Sequence, residues 1–436
     1  MRRFSTCLFT LATFLLLAGA ASAATRHSAS LGHFSLFYNL DRRSETGGFS
    51  SDFSLLTAYI TLKSPPADGD GFEYAVDART TTYPSSSRGA RSSIYDAYVG
   101  GTVWDGKLSI RLGQMWLNDL GALGSVGGFN LEFRRPSVDG TRWRAGLLGG
   151  LEPTTFEAGY ASGIRKAGAY VAYDGHAARR HVLGFVMLRN QSVKERSVLT
   201  TTNFVPVGQK IFLYLIGEYD LHGPGGQGNS GLSYLFANAR VVPVSAFEIQ
   251  VNYNHGRSID ARTITNDQIA GRPVDPRLLD GYLFDSAGAR LTVNVSRGVR
   301  VYAGYAQDRN NQDDRSFGRT TGGASFSNVA RSGVDITVYA SRIERSMGPY
   351  SSYYASIGRS LSSQIYLSAD YTSSLSVLRV ASSGGVTIES RPQARRYSLQ
   401  GTANLGGRFS LFLTLERVDE DVSSENRIAT GLSVRF

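Results

Sequence analysis

Six arginines stand in the polar phase of alternating stretches: Arg79, Arg111, Arg134, Arg144, Arg290 and Arg300, with Glu73, Asp77, Glu132 and Glu248 in the same phase. Of the 46 basic residues only Lys63, Lys107, Lys166, Lys194 and Lys210 are lysines, so 41 are arginines. A guanidinium keeps its charge when partly desolvated and grips oxyanions in a planar, bidentate way. Rows of it can line a path for anions or brace a wall against carboxylates. Alternation gives the face of a strand but not the height along it, so both readings stand at this point.

Other chemical signals are weaker. "GPGGQG", Gly223 to Gly228, has the G-x-G-x-x-G spelling, but it follows one strand pattern and runs into another, with no helix N-terminus to hold a phosphate. It reads as a loop. His33, His176, His181, His222 and His255 are scattered, without metal-ligand spacing or acidic support. They read as polar rim or interior residues. A membrane hydrolase would need a Ser and a His facing each other on an outer surface, which alternation cannot reveal. No cofactor, metal or nucleic-acid partner is expected.

The elements that carry these arginines have a period of two. In "AFEIQVNYNHG", Phe247, Ile249, Val251 and Tyr253 alternate with Glu248, Gln250, Asn252 and Asn254. The pattern returns in "FEYAVDARTTTY", "GKLSIRLGQMW", "GFNLEFRRP", "KIFLYLIGEYDL", "ARLTVNVSRGVRVYAGYAQD", "GVDITVYASR" and "RRYSLQGTANLGGRFSLFLTLERV". Each segment is near ten residues, the span of a tilted transmembrane strand. A soluble sandwich or propeller also alternates, but its wet face need not be so rich in Arg, Glu, Asn and Gln, whereas a water-filled interior requires it. Toward the C-terminus short turns ("SRGV", "NVARSG", "LSSQ", "LGGR") alternate with longer polar connections ("QDRNNQDDRSFG", residues 373–395, "DEDVSSE"). This is the turn pattern of a membrane barrel.

Composition agrees. The chain has 436 residues, with 49 Gly, 23 Tyr and 22 Phe, and no window after residue 24 is apolar for long enough to be a membrane helix. Met1-Arg2-Arg3, the apolar stretch 7–20 and Ala21-Ser22-Ala23 read as a signal peptide over residues 1–23. The remaining 24–436 shows no linker and is expected to be a single barrel domain. Cys7 lies in the signal, so the exported chain has no disulfide with which to close its fold. Its net charge falls from +10 to +8 once Arg2 and Arg3 leave.

The signal, the strand meander and the ending "RIATGLSVRF", with apolar residues at alternate positions before Phe436, resemble Gram-negative outer-membrane β-barrels. "YDAYVGG" followed by "LSIRLGQMW" resembles the porin pairing of an A-Y-V strand with an R-x-G-Q strand. The resemblance implies an outer-membrane location among lipid and lipopolysaccharide, and a C-terminal strand ending at Phe436 that signals to the barrel-assembly machinery. It also implies that Arg111 points into the lumen, with Gly113 leaving space beside it.

In lipid an open sheet edge leaves unpaired backbone groups, each costing several kcal/mol. The last strand must therefore pair with the first, near Phe34 to Leu40, and Phe436 falls at the periplasmic rim. The segments number about 23 by pattern, but a single-chain barrel with both ends periplasmic is even. One assignment between residues 118 and 176 is thus in error. The expected fold is a closed antiparallel transmembrane β-barrel of about 22 strands, with 18 to 24 admissible. Gly256 to Asp285 exceeds the ~12–15 residues of an ordinary loop, and its apolar residues and prolines predict ordered packing. It is a candidate constriction bearing Asp275, Arg277 and Asp280, or else an external lid. The functional expectation is a porin-like passive channel for small polar or anionic solutes. The alternatives are a non-conducting structural or adhesive barrel and, behind both, a membrane-embedded hydrolase.

Overall fold

The computed structural model of the chain describes residues 31–64, 69–136, 139–154, 157–226, 230–313, 316–345, 348–381 and 387–436. The expected signal peptide lies outside the described residues. Strands β1 (Leu31–Glu45), β2 (Ser50–Lys63), β3 (Gly71–Thr82), β4 (Arg91–Val103), β5 (Leu108–Trp116) and β6 (Ser125–Pro136) open the barrel. It continues with β7 (Arg142–Pro153), β8 (Tyr160–Asp174), β9 (Arg180–Asn190), β10 (Val193–Val207), β11 (Ile211–His222) and β12 (Gly231–Val244). β13 (Phe247–Ser258), β14 (Tyr282–Ser296), β15 (Val299–Asn310), β16 (Phe317–Val329), β17 (Val334–Ile343), β18 (Tyr350–Ser360) and β19 (Ile365–Ser376) follow. A small separate hairpin, β20 (Leu378–Ala381) and β21 (Thr387–Ser390), precedes β22 (Gln393–Leu405), β23 (Phe409–Glu420) and β24 (Ser423–Arg435).

Twenty-two strands form one sheet, each antiparallel to its sequence neighbour, with β20 and β21 outside it. β1 pairs with β2 on one side and with β24 on the other, so the sheet has no edge. The expected closure holds: Phe34 stands opposite Val434, and Leu40 opposite Ile428. Of the doubtful stretch, 125–136, 142–153 and 160–174 are barrel strands, whereas 118–124 is a 3-10 turn. Leu31, the first described residue, and Phe436 lie at one end of the barrel, the near end.

Several strands are longer than ten residues. "DEDVSSE", read from the sequence as a loop, is mostly strand, since β23 runs to Glu420 and β24 starts at Ser423. The reason is that backbone pairing continues past the apolar belt. At the far end both faces meet water and the alternation that marks a strand disappears.

Side chains sort by the pleat. On β6 the outward Phe129, Leu131 and Phe133 are exposed, while Asn130 and Glu132 between them are buried. Leu112, Leu147, Leu183, Tyr305, Tyr353 and Leu399 likewise face out. The hydrophobic core is inside the barrel: Met115, Leu117, Leu120, Leu123, Val126, Leu148, Tyr170, Val182, Val186, Leu188 and Val198 form one cluster.

The connection between β5 and β6 builds that core. Residues 117–124 close on themselves through Leu117 N–H donating to the Gly124 carbonyl at 3.0 Å, and the strap so formed folds into the lumen against β8, β9 and β10. Leu120 is fully buried. Its Cδ2 occupies the space where a Cβ on Gly184 would stand. A glycine at the centre of β9 thus makes a hole for a knob, a close approach that no larger residue permits.

Candidate functional site

The inner wall carries one continuous charged chain from β3 to β9. Glu73 on β3 accepts from Arg111 Nε on β5 at 2.9 Å and lies 3.7 Å from Arg134 Nη1 on β6. Arg134 Nε donates to Glu132 at 2.7 Å. The other oxygen of Glu132 accepts from Arg144 on β7 at 3.0 Å and from the Tyr170 hydroxyl on β8 at 2.6 Å. Arg144 Nε donates to Asp174 at the end of β8 at 2.8 Å. Its Nη1 and Nη2 donate to Asp119 of the strap at 2.6 and 3.3 Å. Asp119 also pairs with Arg180 on β9.

Arg134 and Arg144 stand directly opposite each other on adjacent strands. These like charges, Arg144 buried and Arg134 half-buried, are held side by side because each is surrounded by carboxylates. Of the two roles open to the arginines, this side of the barrel shows bracing: Arg111, Arg134 and Arg144 are committed to Glu73, Glu132, Asp119 and Asp174. Lys166 on β8 adds a further tie. Its ammonium donates to the Leu123 and Ser125 carbonyls at 3.1 and 2.7 Å and pairs with Glu152 at 2.5 Å. The strap is therefore held at both ends by charged groups of the wall.

The opposite side differs. Arg290 on β14 lies over the Tyr302 ring at 5.5 Å, and Arg300 Nε donates to Asn294 at 3.2 Å. Both are exposed, and neither has a carboxylate within 4 Å among the described residues. Arg79 lies over Tyr59 at 5.3 Å and donates to Thr81. Glu248 is paired with Arg240 at 2.7 Å. Asp77 shares the inner face of β3 with Glu73 and Arg79.

The connection from β13 to β14 contains α1 (Ala261–Ile269) and α2 (Pro276–Asp280). Asp260 caps α1, accepting from the Thr263 N–H at 3.0 Å and the Thr263 hydroxyl at 2.7 Å. These bonds, with Arg262 nearby, hold the Asp260 carboxyl below its usual pKa range. α1 reaches back over β12 and β11 to the far ends of β9 and β10. There Asn190 Nδ2 donates to Thr265 and Asn266 at 3.1 and 2.8 Å, and Arg262 forms a bidentate pair with Glu195 at 2.7 and 3.1 Å. Ile264 is fully buried beneath it.

Asn190 belongs to the inward face of β9, so the long connection turns across the mouth. The three residues expected to form a constriction all stand on α2 or at its N-cap. Asp275 caps α2 by accepting the Arg277 N–H at 2.9 Å, Arg277 is exposed, and the Asp280 side chain lies outside the described residues. The 117–124 strap also stands inside the barrel, packed against β8, β9 and β10.

Sequence reasoning missed Asp119, Lys166, Tyr170, Asp174 and Arg180. Lys166, Tyr170 and Asp174 share one phase of "IRKAGAYVAYD", and that alternation could have placed them inside. Asp119 sits in a non-periodic turn and carries no such signal. Among the histidines, His33 contacts the Ser433 and Ser35 hydroxyls, on the inner face near the termini and not on the outer surface that a membrane hydrolase would use.

A closed antiparallel barrel with an apolar outer belt, a charged interior and inward-folded connections has the architecture of a transmembrane β-barrel. No family model matches the sequence, and no curated protein matches it. Among the solved structures to which it is similar are three bacterial proteins. OccK11 (OpdR) of Pseudomonas aeruginosa is 9% identical over 93% of this chain and 96% of that one, with a TM-score of 0.43. OpdQ of the same organism is 9% identical over 93% and 98%, at 0.41. OccAB4 of Acinetobacter baumannii is 10% identical over 94% and 99%, at 0.42. At these values the likeness is one of barrel architecture alone.

Proposed function

We propose that the chain is an outer-membrane channel through which small polar solutes diffuse, with the near end in the periplasm and the far end outside. Export through the signal peptide and insertion by the barrel-assembly machinery belong to the same proposal. The observation that carries it is the one-sidedness of the lumen. Along β5 to β10 the interior is packed by the strap and the charged chain. Along β14, β15 and β22 the inward Arg290, Arg300, Arg396 and Gln400 are exposed. A non-conducting barrel would fill its lumen with its own side chains, whereas these inward side chains stay exposed. The accessible Arg290 and Arg300, with no carboxylate within 4 Å among the described residues, favour anions among the solutes admitted.

The test is a planar-bilayer recording of the refolded mature chain. Discrete, stable conductance steps are expected. A correctly folded, heat-modifiable protein that passes no current would overturn the channel and leave the structural or adhesive role.

A further inference from the structure

The outer wall carries a feature that the lumen does not use. Across β17, β18, β19, β22, β23 and β24 lies a groove of about 790 Å³. Strand register explains its shape. Ile336, Ile357, Ala369, Leu399, Leu415 and Ile428 stand opposite one another in turn, one on each strand. Two residues nearer the far end runs a second row, Ala355, Tyr371, Tyr397, Arg417 and Asn426. Both rows share the outward phase of Leu399, so the groove opens away from the lumen. Ala355 and Ala369 form its floor. Their methyl groups stand beside Ile357, Leu399 and the paired rings of Tyr371 and Tyr397, 5.2 Å apart, and leave a hollow between taller side chains.

The far lip of the groove is charged. Arg417 Nε donates to both oxygens of Asp419, at 2.9 and 3.2 Å, and among the described residues its terminal nitrogens have no hydrogen-bond partner. Arg395, on the next outward row, stands opposite Asp419. Its Nη2 donates to Gln393 at 3.4 Å, and no carboxylate lies within 4 Å of it among the described residues. Both arginines are exposed. Two guanidiniums therefore stand beside one carboxylate, and a positive excess marks the place where the apolar belt ends. A guanidinium holds a phosphate in a planar, bidentate way.

We infer that this groove is a binding site for one anionic phospholipid, an acyl chain lying over Ala355 and Ala369 and the phosphate held by Arg417 and Arg395. The apolar floor alone would take the chain of any lipid, and the guanidiniums alone would take any phosphate. A molecule that carries both satisfies floor and lip together. A zwitterionic phospholipid brings a cation of its own beside the phosphate and gains less from the arginines. The inference goes beyond the channel reading and does not depend on it, since the groove faces away from the lumen.

The experiment is native mass spectrometry of the refolded full mature chain in detergent micelles, with dimyristoyl phosphatidic acid, dimyristoyl phosphatidylcholine or inorganic phosphate added. One phosphatidic acid per chain is expected to be retained saturably, with phosphatidylcholine at least fivefold weaker and inorganic phosphate not retained. Arg417→Gln together with Arg395→Gln should bring phosphatidic acid down to the level of phosphatidylcholine. Should that double variant fail to fold, Arg395→Gln alone should at least halve the preference. Ala369→Phe, which fills the hollow without removing a charge, should weaken both lipids at least fivefold. Equal retention of the two lipids, retention of inorganic phosphate as strong as that of phosphatidic acid, a preference that survives the arginine substitutions, or indifference to Ala369→Phe overturns the site.

Discussion

Asp119 and Arg144 come from different layers of the barrel, a connection folded into the lumen and a wall strand, and meet through hydrogen bonds of 2.6 and 3.3 Å. Their contact fixes how much of the lumen is filled. Removing one partner of a buried pair leaves the other charge unmatched, at about 3–5 kcal/mol. Asp119→Ala is therefore expected to release the strap from Arg144 and Arg180, lower the unfolding temperature and raise single-channel conductance. Unchanged conductance in the folded variant would show that the strap stays seated without its aspartate.

The apolar half of the same anchor is Leu120 in the Gly184 hole. Leu120→Ala should cost about 2–5 kcal/mol, the range for truncating a fully buried leucine, and should make conductance noisier as the strap loses its seat. Gly184→Val should act in the same direction by filling the hole. Denaturant unfolding paired with current-noise analysis checks both, and a quiet, wild-type-like Gly184→Val channel would contradict the packing.

Selectivity should divide along the two sides of the lumen. Arg290→Ser together with Arg300→Ser is expected to weaken anion preference in salt-gradient reversal potentials. The effect should fade as the Debye length shrinks from about 10 Å at 0.1 M toward about 3 Å at 1 M. Arg111→Ser, whose charge is committed to Glu73, should reduce stability with little effect on selectivity. The opposite ranking would place the ion path along the braced wall.

The α1 lid should respond to acid. The Asp260 pKa is lowered in the folded chain, so its capping contribution, about 1 kcal/mol, is complete above the usual carboxylate range. It is lost as pH falls through the depressed value. Proteolysis within 259–281 should be independent of pH from neutrality to mild acidity and increase only in strong acid. Asp260→Ala should show the increase at every pH. A lid whose susceptibility changes around pH 6 would have to be controlled by another group.

Phe436 closes the seam between the last and first strands. Gly32 N–H donates to the Phe436 carbonyl at 2.9 Å, and Phe436 N–H to the Gly32 carbonyl at 3.1 Å. The phenyl ring lies where a Cβ on Gly32 would stand. Deleting Phe436, or changing it to Ser, should reduce the yield of heat-modifiable, membrane-inserted protein several-fold. Normal insertion would mean that the remaining β1 and β24 pairing suffices.

A period of two fixes which side chains share a face, and the cost of an unpaired sheet edge in lipid fixes that the sheet closes. The barrel, the pairing of Phe34 to Leu40 with the C-terminal strand, and the inward phase of Arg111, Arg134, Arg144, Arg290 and Arg300 were therefore legible in the sequence alone. Height along the strand and the identity of each partner were not, because they depend on register between strands far apart in the chain. Only the tertiary structure decides that Arg144 meets a strap aspartate while Arg290 rests on a tyrosine. The strap itself has no periodic signature. "LNDLGALG" is a short turn by its local pattern, and it becomes the centre of the core because a glycine on β9 leaves room for Leu120 and two arginines receive Asp119.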